Sequence, residues 1–394
     1  MQVTLSLFKQ MMDSFDIPSK EPVAVAVSGG ADSLCLAYFL TQWAGKKHPV
    51  FILTVNHGLR PEANKEVQLV KSYAQKWGAV FQELKWRGKK PSQALEEKAR
   101  EARYQLMTDF CLTHHISYLF LAHHANDQVE TVLSRFTHGS GLTGLCGMSK
   151  CSLQRGLFLC RPFLSVLKKD LLQTTKALHL TWAEDSMNTD DSYERVRWRK
   201  AIPLLEELGL SVPHLLTSIN RLSQANEALE AQTNSFISDF VRIDPLGYAS
   251  FLKKDFALLP FEIQVRVLQK LITFLGQDQT LWSLSTLEKK CVLPLKTFTL
   301  GSCVVVPFQQ KIFIGKEHKC IEKNKSVLAH KPTCWDRFII TADKTGTIST
   351  MPSVRHKKIP FLIYKTIPVV TDKKGIEISF KIAYKKEDMF YKKE

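Results

Sequence analysis

Two short runs of residues carry the chemistry that this chain can do. The first is Ser28-Gly29-Gly30-Ala31-Asp32-Ser33, which follows five small or β-branched apolar residues, Val23 to Val27, and leads into Leu34, Leu36, Ala37 and Leu40. A glycine turn between a buried strand and a helix start aims several backbone N–H groups at one point. The helix dipole adds positive potential there, so the point is a seat for phosphate. Asp32 cannot attract phosphate, because a carboxylate repels it; beside a triphosphate its natural task is to help hold magnesium. Two better-known glycine loops are excluded: no lysine stands at the Walker spacing, and the G-x-G-x-x-G fingerprint is absent.

The second run is A-H-H-A-N-D-Q-V-E-T, Ala122 to Thr131. Its spacing predicts His123, Asp127 and Glu130 on one helix face, at i, i+4 and i+7. Two carboxylates and an imidazole there could bind magnesium, orient an ammonium group or accept a proton. The same residues also suit an ordinary helix start, with Asn126 or Asp127 as the cap and Gln128 and Glu130 solvated.

The elements that position these runs alternate regularly. Strands are expected at Val23–Val27, Val50–Val55, Ala79–Leu84 and Ile116–Ala122. Helices are expected after Asp32, over Asn64–Trp77, from a Ser92 cap to about His115, and over Asp127–Phe136. Repeated β–α units mean an α/β fold with a doubly wound, mostly parallel sheet, whose ligands sit beyond the carboxyl ends of the strands. That rule brings together Ser28–Ser33, Asn56–Arg60 and His123–Asp127. Gly139 to Gly147, with four glycines and no period, reads as a flexible loop able to close over substrate.

The chain's 394 residues suggest two or three domains, and 44% apolar content suffices for proper cores. No apolar run reaches membrane-spanning length, so no membrane partner is expected. Val3–Ile17 reads as a surface helix and lacks the features of a signal peptide. Nine scattered cysteines without a C-x-x-C pair fit reduced thiols and a cytoplasmic location. A net charge of +16 favours nucleic acid as a partner.

The loop S-G-G-x-D-S resembles that of the N-type ATP pyrophosphatases, in the PP-loop superfamily. A longer ordered series is more specific: N-H-G-L-R (Asn56–Arg60), A-R-x-x-R-Y (Ala99–Tyr104), A-H-H-x-x-D-Q-x-E-T (Ala122–Thr131) and G-S-G-L-T-G-L-C-G-M (Gly139–Met148). R-P-F-L (Arg161–Leu164), E-D-S-M-N (Glu184–Asn188) and Y-E-R-V-R-W-R-K-A-I-P (Tyr193–Pro203) follow. Over about the first 205 residues the series resembles the tRNA(Ile)-lysidine synthetases.

The resemblance implies the reaction. ATP adenylates the wobble cytidine of the CAU anticodon of tRNA(Ile), and free L-lysine displaces AMP to give lysidine, so that the tRNA reads AUA. It also implies roles. Ser28, Gly29, Gly30, Ala31 and Ser33 hold the pyrophosphate, with Asp32 on magnesium. Asp127, Glu130 and His123 do the chemistry around the lysine amine. Arg100 or Arg103 pairs with the lysine carboxylate or a phosphate, His57 and Arg60 lie near nucleotide or lysine, and Arg195, Arg197 and Arg199 contact tRNA. Two positions depart from the family pattern: Asn126 stands where an Asp is usual, and Val196 where Asn is frequent. A tRNA-thiolating enzyme of the same ATP class lacks support, because Cys111, Cys146, Cys151 and Cys160 have no cluster spacing. An amidating synthetase would not need the basic tail, and a non-catalytic RNA binder would not need the three acids.

The expected division is a catalytic domain over 1–212, a helical and hairpin substrate domain over 213–318 and a basic tRNA-binding domain over 319–394. Leu215–Phe240 and Leu259–Phe274 read as helices, Thr297–Lys316 as hairpins, and Phe338–Thr341, Phe361–Tyr364, Val369–Val370 and Ile376–Ala383 as short strands. Arg355 to Glu394 carries eleven basic residues against five acidic, with tyrosines among them, which suits a tRNA-gripping module. The sequence leaves oligomeric state open, with a homodimer compatible.

Overall fold

The computed structural model describes residues 2–58, 63–87, 95–183, 194–277, 282–351 and 356–384. They divide into two compact units, Met1–Gln224 and Ala225–Glu394. In the first unit, β1 (Val23–Ala26), β2 (Val50–Asn56), β3 (Val80–Lys85), β4 (Tyr118–Phe120) and β6 (Leu157–Cys160) run parallel. The edge strand β5 (Cys151–Gln154) is antiparallel to β6. The sheet order is β3-β2-β1-β4-β6-β5, so the winding reverses between β1 and β4. A crevice for ligand forms at such a reversal, outside the carboxyl ends of the two strands.

Helices α1 (Leu5–Met12), α2 (Ala31–Ala44), α3 (Ala63–Lys76), α4 (Leu95–Thr113), α5 (Ala125–Thr137), α6 (Leu142–Leu145), α7 (Lys168–Ala177) and α8 (Glu194–Glu207) complete the unit. A long helix, α9 (Val212–Phe240), follows. The alternation along β1 explains why the sheet is buried on both faces. Val23 and Val25 enter one core with Phe8, Leu34, Phe120 and Phe163. Ala24 enters another with Leu53, Met107, Cys111 and Leu119. Each such large side chain contributes about 1.5–3 kcal/mol by leaving water, so the strand ends are held rigidly.

The expected parallel strands and their helices are present, shifted by one or two residues at most ends. The hairpin β5–β6 is additional. Its turn residues, Arg155 and Gly156, have φ of 51° and 81°, the pattern of a two-residue type I′ turn. Gly139–Gly147 is also more ordered than a flexible loop. It contains the helical turn α6, and Arg135 Nη1 donates to the carbonyls of Gly144 (2.8 Å) and Gly147 (2.7 Å). The Ser92 cap and the Glu184–Asn188 motif lie outside the described residues.

In the second unit, β7 (Arg242–Asp244), β8 (Tyr248–Leu252), β9 (Phe298–Leu300), β10 (Cys303–Phe308) and β11 (Lys311–Lys316) make an antiparallel sheet ordered β7-β8-β11-β10-β9. The helices are α10 (Lys253–Ala257), α11 (Phe261–Gly276) and α12 (Leu284–Lys290). One face of the sheet packs on α11 through Phe251, Leu268 and Ile314; the other, through Tyr248, Val304 and Phe313, covers Ile363 and Ile367. Two three-stranded sheets complete the unit. One joins β12 (Lys325–Val327), β15 (Gly346–Thr350) and β16 (Pro368–Thr371); the other joins β13 (Thr333–Trp335), β14 (Phe338–Ala342) and β17 (Phe380–Tyr384). They share a core of Val327, Trp335, Phe338, Ile340, Ile348 and Val370. Phe361–Tyr364 is not a strand but a helical turn, α13, capped by Pro360. Four apolar residues have no period that separates the two forms. Here the turn buries Ile363 completely while Phe361 stays exposed.

Candidate active site

The Ser-Gly-Gly loop leaves β1 as expected. Gly29 has φ +92°, a conformation that side chains rarely adopt. Its carbonyl accepts from Ala183 N at 3.0 Å. Gly30 caps α2 without any side-chain hydrogen bond, so the first N–H groups of the helix are not taken by a capping side chain. Ser33 Oγ donates to Gly30 O at 2.9 Å and lies 3.3 Å from Ser28 N, which ties the loop into one turn. Ala31 is the first residue of the helix and is buried. The result is an anion seat of backbone N–H groups at a helix N-terminus.

Asp32 stands in the first turn of α2. Its Oδ2 pairs with Lys168 Nζ, at the start of α7, and lies 3.7 Å from His124 Nε2. Its Oδ1 is buried and has no hydrogen-bond partner among the described residues. Such an orphaned hard oxygen suits magnesium, which takes one or two carboxylates together with phosphate oxygens. Among the described residues no group of three or more His, Cys, Asp or Glu forms a protein-only metal cage.

The run after β4 differs from the expected single face. His124 is the N-cap of α5, in extended conformation, so His123 precedes the helix and leaves its face to Asp127 and Glu130. The N-cap residue is also neither Asn126 nor Asp127, although the Asp127 side chain takes part in the cap. The His124 Nδ1 accepts from Asp127 N at 3.4 Å, and Asp127 Oδ2 accepts from His124 N at 2.9 Å, a reciprocal capping box. Asn126 Oδ1 instead accepts from Lys168 N at 3.0 Å. That bond needs only an acceptor, so Asn serves where the resemblance has Asp. It anchors the residue whose ammonium reaches Asp32.

Asp127 and Glu130 are both buried, Glu130 to 2% exposure. A buried carboxylate without a partner costs several kcal/mol, and Arg199 supplies the partner. Its Nε donates to Glu130 Oε1 at 2.8 Å, and its Nη2 lies 3.9 Å from Asp127 Oδ1. Burial works against the Arg199 charge, but the Glu130 hydrogen bond and the nearby acids outweigh it and hold the guanidinium above its ordinary value. Arg199 therefore turns to the acid pair. The Tyr193 segment is helical from Glu194, so positions 195 and 199 share a face while Arg197 lies off it and is exposed.

Gln128 Nε2 donates to Met148 O (2.8 Å) and its Oε1 accepts from Met148 N (2.6 Å), fastening the glycine-rich segment to the first turns of α5. A Cβ on Gly147, which has φ +72°, would come within 2.7 Å of that amide. His57 follows β2 and packs edge-on against Trp86, with ring centres 5.8 Å apart. Arg100 and Arg103 lie over the Tyr104 ring on α4, at 5.4 and 5.5 Å. Arg161 of the R-P-F-L run is buried and donates to Ser149 O and Ser152 Oγ, and burial pushes its guanidinium below the ordinary value. Arg60 and the Arg195 side chain lie outside the described residues.

Asp32, His124 and Asp127 thus make one chain of contacts from the phosphate seat to the acid pair, with Lys168 and Arg199 at its ends. His124 and Lys168 were not among the expected site residues. Their signals were present: the second of two histidines in the capping position, and a lysine four residues after R-P-F-L, beyond the carboxyl end of a strand.

The family described as a PP-loop domain matches residues 3–205. The chain is similar to the tRNA(Ile)-lysidine synthase of Wolbachia sp. subsp. Brugia malayi, at 32% identity over 93% of this chain and 89% of that one. It is similar to that of Wolbachia pipientis wMel, at 31% over 90% and 85%. With the tRNA(Ile)-lysidine synthase of Ruegeria pomeroyi the figures are 31%, 90% and 85%.

Proposed function

The chain belongs to the tRNA(Ile)-lysidine synthase family, ATP-using ligases built on a PP-loop domain, and from that premise we propose how it works. It joins free L-lysine to the wobble cytidine of a CAU-anticodon tRNA(Ile), through an adenylated cytidine, and releases AMP and diphosphate. The observation that carries this reading is the placement of two buried carboxylates, Asp127 and Glu130, and an anion seat on helices that follow the carboxyl ends of adjacent strands, β4 and β1.

In this reading Ser28, Gly29, Gly30, Ala31 and Ser33 hold the β- and γ-phosphates through backbone N–H groups and hydroxyls. Asp32, with its unpartnered Oδ1, would help to hold magnesium, which would screen the charge on the departing diphosphate. Lys168 sits where it can pass from Asp32 to a phosphate oxygen. Asp127 and Glu130 receive the ammonium of the incoming lysine and take the proton its amine must lose before it attacks the activated C2 carbon. Arg199 supplies the opposite charge that this buried pair needs. His123, His57, Arg100 and Arg103 serve substrate contact, and the exposed Arg197 contacts the tRNA backbone. Within the second unit, residues 319–394 are the tRNA-gripping part, with the exposed Lys357, Lys358, Lys373 and Lys374 as phosphate contacts.

The test is to incubate the purified protein with ATP and magnesium, with and without a tRNA(Ile) CAU transcript and lysine. AMP and diphosphate release that needs the tRNA, and completes only with lysine, supports the reading. Release indifferent to both contradicts it.

A further inference from the structure

We infer that His124 is a positioning residue that sets the phosphate-seat acid Asp32 against the acid pair on α5, by packing its ring beside one and hydrogen-bonding the other through its backbone. The inference rests on the function proposed above and deepens it.

Capping alone does not call for histidine. Ser, Thr, Asp and Asn are the preferred N-caps, and the His124 Nδ1 bond to Asp127 N is long, at 3.4 Å. What histidine adds is a second nitrogen, Nε2, 3.7 Å from Asp32 Oδ2. Nδ1 accepts the Asp127 N–H, so Nε2 is the ring nitrogen on the side that faces Asp32. The residue is 6% exposed, so the ring has little room to leave its place beside Asp32. Its own N–H meanwhile holds Asp127 Oδ2 at 2.9 Å. One residue therefore registers two acids that stand on helices following adjacent strands, β1 and β4.

Lys168 is the other group on Asp32 Oδ2. When it turns to a phosphate, the ring remains as the contact that keeps Asp32 in line. Misplacement of reacting groups by about 1 Å can cost on the order of 100-fold in rate, and this is the loss expected when the ring is gone.

The variant that separates positioning from capping is His124→Asn, which retains a good cap but cannot reach Asp32; His124→Ala removes both. Thermal unfolding should be unchanged in H124N and lowered in H124A. In lysine ligation, H124N should keep its KM for lysine while kcat falls roughly 100-fold. Calorimetric binding of the α,β-methylene analogue of ATP should be weakened several-fold by H124N with magnesium present, and unchanged in EDTA. H124N with wild-type kcat and wild-type magnesium-dependent binding overturns the inference, as does loss of activity in H124A alone. The calorimetric arm needs no turnover. A wild-type protein that fails to ligate lysine therefore counts against the function, while the binding difference still decides the role of His124.

Discussion

Each of the two units buries a cluster of charges, and the clusters are built to opposite ends. In the second unit Asp336 pairs with Lys316 and with Arg337, whose Nη1 donates to Asp336 Oδ2 at 2.6 Å. Arg337 is fully buried, stacks 4.6 Å from the Phe338 ring centre and donates to Gly247 O. The cluster in the first unit has three acids, Asp32, Asp127 and Glu130, against Lys168 and Arg199. Each cluster leaves one buried atom without a hydrogen-bond partner among the described residues, Asp32 Oδ1 and Arg337 Nε, but only the first has a half-exposed cation, Arg199, whose side chain is 41% exposed. A sealed cluster with basic excess fastens chain to chain. One with acidic excess and half-exposed cations has capacity left for a cationic ligand, and its partners can move.

Substitution should affect the two clusters differently. The largest effect is expected from Asp127→Asn and Glu130→Gln, each lowering lysine ligation by about 10²–10⁴-fold, the contribution of a positioned acid–base group. Their unfolding midpoints should stay close to wild type, because Arg199 can turn to water. Next comes Arg337→Met in the sealed cluster, which strips a partner from a buried carboxylate. It should cost about 3–5 kcal/mol in denaturant unfolding, and Arg199→Met, which takes a partner from the buried Glu130, should cost a comparable amount.

Smaller again is charge reversal of Lys357, Lys358, Lys373 and Lys374 to Glu. Each lysine that touches a phosphate should account for about one unit of the salt slope of tRNA binding, so the slope should fall with every reversal while nucleotide binding stays unchanged. Truncation from Trp335 is a poorer test, since it removes the core shared by the two small sheets.

The smallest effect concerns pH. Burial works against the Asp336 charge, but the Lys316 hydrogen bond and the Arg337 charge outweigh it and hold the carboxyl below its ordinary value of 3.8. The unfolded chain therefore takes up the proton first. The stabilisation is complete above that value and is lost as pH falls through the lower, folded pKa. Asp336→Asn should flatten the acid limb of the stability curve; an unchanged limb contradicts the assignment.

What the sequence made legible was local. Val23–Ser33 is a contiguous strand, turn and helix start, and the β–α alternation extends it to four strands of the parallel sheet. What it concealed depended on long-range pairing. Asp32 meets Lys168 across 136 positions, and no periodicity announces such a contact. Charge alone did not say whether Arg199 faces phosphate or Glu130, and a helix pattern did not say that His124, rather than Asn126, would cap. The hairpin β5–β6 was legible in principle. Leu153-Gln154-Arg155-Gly156-Leu157-Phe158 flanks a two-residue turn, but Arg-Gly is a weaker hairpin signal than Asn-Gly or Asp-Gly.

The most direct measurement is mass analysis of nuclease-digested CAU transcript after reaction with the purified protein, ATP and isotopically labelled lysine. The account predicts one cytidine, at the wobble position, carrying one labelled lysine for each AMP formed. ATP cleavage with no labelled cytidine, or label on a transcript whose anticodon is not CAU, would contradict it.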